Sequence, residues 1–342
     1  METVRVLRDE EFSTERYNKV SPFRTGRIAF SIYDFKPWQS MPMRRSPRND
    51  TVLYVVQGQG TAFVGGDKRP LEPNTAVFVP AGSTYGMLSG EADTVVISVQ
   101  GPTPIDSIFD GNLWFRCPAC QLESPVTTKA YNGCVTVCPR CTAGLKLYRE
   151  AAGFRADQVS GPRLTEVMPG LVETAVEAGS LAAGPEGGTE GAGQAQEEKL
   201  AFNVYDFGPW QALPMRRSPA SDTLLYVVQG QGIAFVGDEE RSIDAHVAIY
   251  VPAGAMFGAL SADRGMIMIS VQGPTPVETQ PDETLAYSCP TCQLDTPVTT
   301  STYDGCVTVC PRCNVKLKLR KEKEGFRAEE TTEKAPTEAE VS

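Results

Sequence analysis

At 342 residues, 41% apolar and 22% charged, the chain is long enough for two to four domains and can bury sizeable cores. Its formal net charge of -10 argues against the whole chain binding nucleic acid or an anionic membrane surface. No apolar run approaches the length of a membrane span, and a single histidine, His246, excludes chemistry that needs several imidazoles.

The chain opens with an N-terminal extension, residues 1–27, that is charged and lacks the apolar core of a signal peptide. A cytoplasmic location is therefore expected. The ten cysteines then need a reason other than disulfides. Residues 28–110 contain TVLYVVQG, QGTAFVGG, TAVFVPAG and DTVVISVQG, short runs rich in β-branched and aromatic residues that end on Gly or Pro. Regular strand spacing without a strong helical stretch predicts a barrel or sandwich.

Residues 111–150 carry the sharpest signal. Cys117-Pro-x-Cys120 is followed by a 17-residue gap and then by Cys138-Pro-Arg-Cys141. Two residues between thiolates let one tight turn offer both sulfurs to one ion, and two such knuckles complete a tetrahedron. The gap contains Asn132-Gly133 between two strand-like runs, which predicts a hairpin that returns the second knuckle to the first. The pattern resembles a zinc ribbon and, more distantly, a rubredoxin-like knuckle pair. A closed set of four thiolates suits a structural Zn(II), and also a single iron. Cys134 shares a strand face with Cys138 and reads as a small buried residue or a thiol beside the ligand set, with a reactive or alternate ligand as the other reading. The basic run KLKLYRE that follows reads as a solvated edge strand rather than a nucleic-acid patch.

Residues 151–199 read as a flexible linker, with AAGPEGGTEGAGQAQEEK free of apolar period and a weak helix or docking segment in PRLTEVMPGLVETAVEAG. Beyond it the chain repeats itself. Ala29 to Ala156 recurs at Ala201 to Ala328 with a constant offset of 172 and no gap. A second barrel is thus expected over 200–282 and a second four-cysteine module over 283–322, with Cys289, Cys292, Cys310 and Cys313 as ligands and Cys306 as the fifth thiol. The tail, 323–342, is acidic and polar and is expected to be disordered.

The residues YVVQGQGTAFVGG, then FVPAGSTYG, then VQGPTP, resemble the cupin superfamily over roughly 28–104 and again over 200–276. Two such modules resemble a bicupin. The resemblance implies two double-stranded β-helix barrels, each followed by a small zinc-ribbon β module. Metal-binding cupins carry a His-x-His pair, a Glu and a later His. The matching positions here are Arg44, Ser46, Thr51 and Tyr85, and in the second copy Arg216, Ser218, Thr223 and Phe257. None is a usual ligand set for iron, manganese or zinc. His246 matches Asn74, outside that pattern, and reads as a surface or turn histidine. The order of modules also resembles the bacterial 3-hydroxyanthranilate dioxygenases, in layout only.

PMRRSP is identical in both copies. Arg44 and Arg216, with Arg45 and Arg217 beside them, either point into the emptied pockets and bind a carboxylate or phosphate, or are solvated strand-edge arginines, or pair with Asp34/Asp206 or Asp50/Asp222. The solvated reading is preferred. Trp38 and Trp210 read as core or lid aromatics, with a stacking platform as the alternative. The expected function is a non-catalytic zinc-binding bicupin, two Zn2+ per chain, that serves as a structural or docking subunit of a larger protein assembly. Two alternatives stand beside it: a small-anion sensor or metal-free enzyme using the Arg44 and Arg216 pockets, and a rubredoxin-like iron protein.

Overall fold

The computed structural model describes residues 1–7, 13, 15–159 and 199–332. The linker and helix expectations over 160–198, and the end of the acidic tail over 333–342, lie outside the described residues. The described chain is all β. It divides into two compact units, Asp9–Lys199 and Met1–Arg8 with Leu200–Ser342.

In the first unit, two five-stranded antiparallel sheets face each other. One runs Asn18–Arg24, Ala29–Phe35, Thr94–Gly101, Asp50–Gln57, Ala76–Val79. The other runs Ile108–Phe109, Ser40–Arg45, Thr84–Ser89, Gly60–Val64, Asp67–Leu71. Period-two alternation sends Tyr33, Phe35, Leu53, Val55 and Val96 from the first sheet into one core with Met41, Ala62, Tyr85 and Met87 from the second. This is the expected cupin-like barrel. Asp67–Leu71, read DKRPL, was not legible as a strand because it is an edge with only Leu71 buried.

The second copy repeats the barrel with longer strands. Asp222–Val236 and Met256–Gly273 run straight through the places where the first copy breaks, so its sheets merge into one of eight strands. The copies also differ at their edges. Asn18–Arg24 covers Ala29–Phe35, whereas Ala201–Phe207 pairs only with Met256–Gly273 among the described residues. Glu2–Arg5 instead pairs with Val247–Val251 of the second barrel, fixed by Arg5 forking Asp244 at 2.8 Å to each oxygen. His246 sits at the turn before that strand with φ 68° and its Nδ1 lies 3.0 Å from the Tyr226 hydroxyl, as Asn74 (φ 65°) takes the Tyr54 hydroxyl in the first copy.

Each small module is a five-stranded sheet in the order Glu123–Pro125, Trp114–Arg116, Gly153–Gln158, Gly144–Glu150, Val135–Val137. Three expectations are corrected here. The sheet reaches Gln158, and in the second copy Glu330, beyond the module ends read from sequence. Phe154 and Ala156 alternate inward while the charged Arg155 and Asp157 face out, and those charges made the segment look like linker. The runs flanking Asn132-Gly133 do not form a hairpin with each other; they lie at opposite edges of the sheet. Gly144–Glu150, the basic run, is interior rather than an edge, with Leu145 and Leu147 fully buried.

Candidate metal centre

Each knuckle is the turn of its own hairpin, and this is why no hairpin forms around Asn132-Gly133. Cys117 to Cys120 joins Trp114–Arg116 to Glu123–Pro125, and Cys138 to Cys141 joins Val135–Val137 to Gly144–Glu150. The Cys117 amide donates to the Leu122 carbonyl and the Gln121 amide back to the Cys117 carbonyl, both at 2.9 Å; Cys138, Ala143 and Thr142 repeat the arrangement. Gln121 and Thr142 take left-handed backbone (φ 60° and 57°) to close these turns. The second copy does the same at Gln293 and Asn314.

The two knuckles meet across the sheet. In each cluster the four sulfurs lie within 4.8 Å of one another. Cys117 to Cys141 is 3.7 Å and Cys120 to Cys138 is 3.6 Å; the second cluster gives 3.7 Å for Cys289 to Cys313 and 3.5 Å for Cys292 to Cys310. Metal–sulfur bonds of about 2.3 Å in a tetrahedron put sulfurs about 3.8 Å apart, whereas a disulfide needs about 2.0 Å. The spacing fits a tetrahedral ion and no disulfide. Burial pushes the Cys138 thiol up to about 12 and raises Cys310 likewise, against the backbone amides of Arg140 and Cys141, or Arg312 and Cys313, which point at the sulfurs. A bound cation would displace those protons. Cys134 and Cys306 stand outside both clusters and are half-buried, not fully buried as a core cysteine would be.

The clusters also tie each module to its own barrel. Cys117 and Cys138 belong to one apolar core with Phe115, Leu122, Leu145 and Phe154 of the module and Met43, Phe63 and Leu88 of the barrel. Trp38 packs against this core, and Trp210 against its counterpart. They are the aromatics of that seam.

Of the barrel positions singled out by the resemblance, Thr51 and Tyr85 meet at one glutamine. Gln100 Nε2 donates to Thr51 Oγ1 and to the Tyr85 hydroxyl, each at 3.1 Å. In the second copy Phe257 has no hydroxyl, and Gln272 Nε2 turns to Ser218 (3.1 Å) and Thr223 (2.9 Å). The solvated reading of Arg44 is corrected: it is 5% exposed, opposite Tyr85 in the sheet, with Nη2 donating to the Tyr17 hydroxyl at 2.9 Å. Asp50 does not pair with it, because its carboxylate accepts the Ala81 and Lys199 amides. Tyr85 and Phe257 are fully buried and so are no surface contacts. Arg216 is half-exposed and donates to the Pro214 carbonyl at 3.2 Å; Arg45 and Arg217 face outward, Arg217 toward Gln280. The sequence did not reveal Tyr17, which lies in the N-terminal extension and has no counterpart within the repeat.

The fold and site define a class: a mostly β protein of two cupin-like barrels, each bearing a four-cysteine cluster able to hold a metal ion. No family model matches the chain, and no curated protein does. Among solved structures it is similar to a cupin 2 conserved barrel domain protein from Leptotrichia buccalis, with 10% identity, TM-score 0.46, and coverage of 80% of this chain and 96% of that one. It is similar also to the R92A mutant of Bacillus subtilis oxalate decarboxylase OxdC (11% identity, TM-score 0.48, 82% and 79% covered). The coconut allergen cocosin gives 11% identity and TM-score 0.45, with 79% and 89% covered. Among the described residues no helix is long and apolar enough to cross a membrane.

Proposed function

We propose that the chain is a non-catalytic docking subunit whose two tetrathiolate clusters hold structural zinc. The observation that carries this reading is the outer edge of each module. Val135–Val137 ends its sheet, with Val135 58% and Val137 40% exposed, and Val309 is 48% exposed at the matching edge of the second module. Tyr131 and Tyr303 stand exposed beside these edges. An uncovered strand edge with apolar side chains is a template for a partner strand. Two like edges on one chain suit a partner with two equivalent sites, where effective concentration strengthens attachment. Four sulfurs per cluster complete a tetrahedron and leave no position for substrate.

The test is co-purification of the full chain from its native cells, with the double-edge variant Val135→Lys, Val137→Lys, Val307→Lys, Val309→Lys beside it. A stoichiometric protein partner on the native chain, lost from the variant while both metal ions remain, is the expected result. A chain that runs alone, or a partner retained by the variant, contradicts the docking reading.

A further inference from the structure

We propose that the first barrel, and not the second, holds a small carboxylate anion between Arg44 and Ser46. Three observations carry this. Arg44 is a cation buried to 5% exposure, and among the described residues no ion pair reaches it. Its contacts include the Tyr17 and Tyr33 hydroxyls and the Phe109 ring, whose centroid lies 5.1 Å from the guanidinium carbon. Neutral hydroxyls and a ring face offset only part of the cost of taking a guanidinium out of water.

The second observation is that its Nε has no hydrogen-bond partner, and neither does the Oγ of Ser46, which is 2% exposed. Arg44 and Ser46 are two residues apart along the chain, and period two places such residues on one face of an extended segment. Two orphaned donors two residues apart in sequence, one of them charged, match the two oxygens of a carboxylate. Buried donors without partners are rare enough to need a reason.

The third is the second copy, a control built into the chain. There Ser218 is satisfied by Gln272, because Phe257 lacks the hydroxyl that draws Gln100 away from Ser46 toward Tyr85. Arg216 reaches solvent and a carbonyl. The first barrel thus leaves Arg44 Nε and Ser46 Oγ without partners, with Ser98 Oγ a third such atom, whereas Ser218 in the second barrel is satisfied. The one fully buried cation matches a monoanionic group such as a carboxylate. A cleft of about 630 Å³, lined by Glu15, Tyr17, Lys19, Trp38, Gln39 and Glu123, shares Tyr17 with the arginine. Burial and then the Arg44 charge hold the Lys19 ammonium below its ordinary range, consistent with positive charge in excess at this end of the barrel.

The experiment is calorimetric titration of the full chain with sodium acetate and, separately, with inorganic phosphate, at low ionic strength. Saturable uptake of one acetate per chain is expected, abolished by Arg44→Met and unchanged by Arg216→Met. Tyr85→Phe should weaken it roughly 5-fold, since Gln100 is then free to occupy Ser46, a loss of about one hydrogen bond. Without added anion, Arg44→Met should melt above the native chain. Should Arg44→Met fail to fold, Ser46→Ala and Tyr85→Phe decide, and unchanged acetate affinity in both overturns the proposal. It is equally overturned by no saturable acetate binding, by binding of phosphate alone, or by equal losses in the Arg44 and Arg216 variants.

Discussion

Cys138→Ser is expected to lower the metal content from two ions per chain to one and to unfold the first module while its barrel persists. The module is small. Its own apolar core amounts to Leu113, Phe115, Leu122, Val126, Leu145, Leu147, Phe154 and Ala156 around two of the sulfurs. Structural zinc contributes about 10–16 kcal/mol to peptides of this kind, and such modules have little stability without it. Serine keeps the shape at position 138 but gives a poor ligand for a soft site. Amide hydrogen exchange should report lost protection at Leu145 and Leu147, with the strands Asp50–Gln57 and Thr94–Gly101 unaffected. Cys134→Ser is the control. Its sulfur is outside the four that lie within 4.8 Å of one another, so the ion count should stay at two. An ion lost from Cys134→Ser, or kept by Cys138→Ser, would mean that the ligand set is a different four.

The second large effect belongs to the barrel. Gly58→Ala is expected to destabilise the first unit by about 3 kcal/mol, the range of backbone strain and a steric clash combined. Gly58 has φ +79°, and a Cβ there would stand 2.4 Å from the Asp93 carbonyl oxygen and 2.5 Å from Thr94 Oγ1. Neither neighbour can give way, because Thr94 Oγ1 is tied to the Gln59 and Ala92 carbonyls at 3.0 and 3.1 Å. Gly82 separates the two causes. Its φ is +81° but nothing lies within 4 Å of its would-be Cβ, so Gly82→Ala should cost only about 1 kcal/mol. Denaturant titration of both variants measures the difference. Equal losses would show that backbone conformation, and not the close approach, sets the value at position 58.

The four-cysteine clusters were legible because their geometry is local: a knuckle needs only its own turn, and the spacing of Cys117, Cys120, Cys138 and Cys141 states it. The barrels were legible where strands are buried along their length, as in Asp50–Val56. What escaped depends on distant partners. Glu2–Arg5 finds its place on Val247–Val251, which no local pattern announces. Asn132-Gly133 has the chemistry of a hairpin turn, yet the flanking strands are claimed by other neighbours through the knuckles. The contrast between Arg44 and Arg216 lay hidden in two identical PMRRSP segments, because it is set by Tyr17 and by Tyr85 against Phe257.

The proposed function requires both tetrathiolate clusters to be filled and both barrels to be free of metal. Elemental analysis of the full chain purified from its native cells, with an absorption spectrum of the same sample, tests it most directly. Two zinc ions per chain and a colourless protein are the predicted result. A third stoichiometric metal, or iron with its thiolate charge-transfer bands, would contradict it.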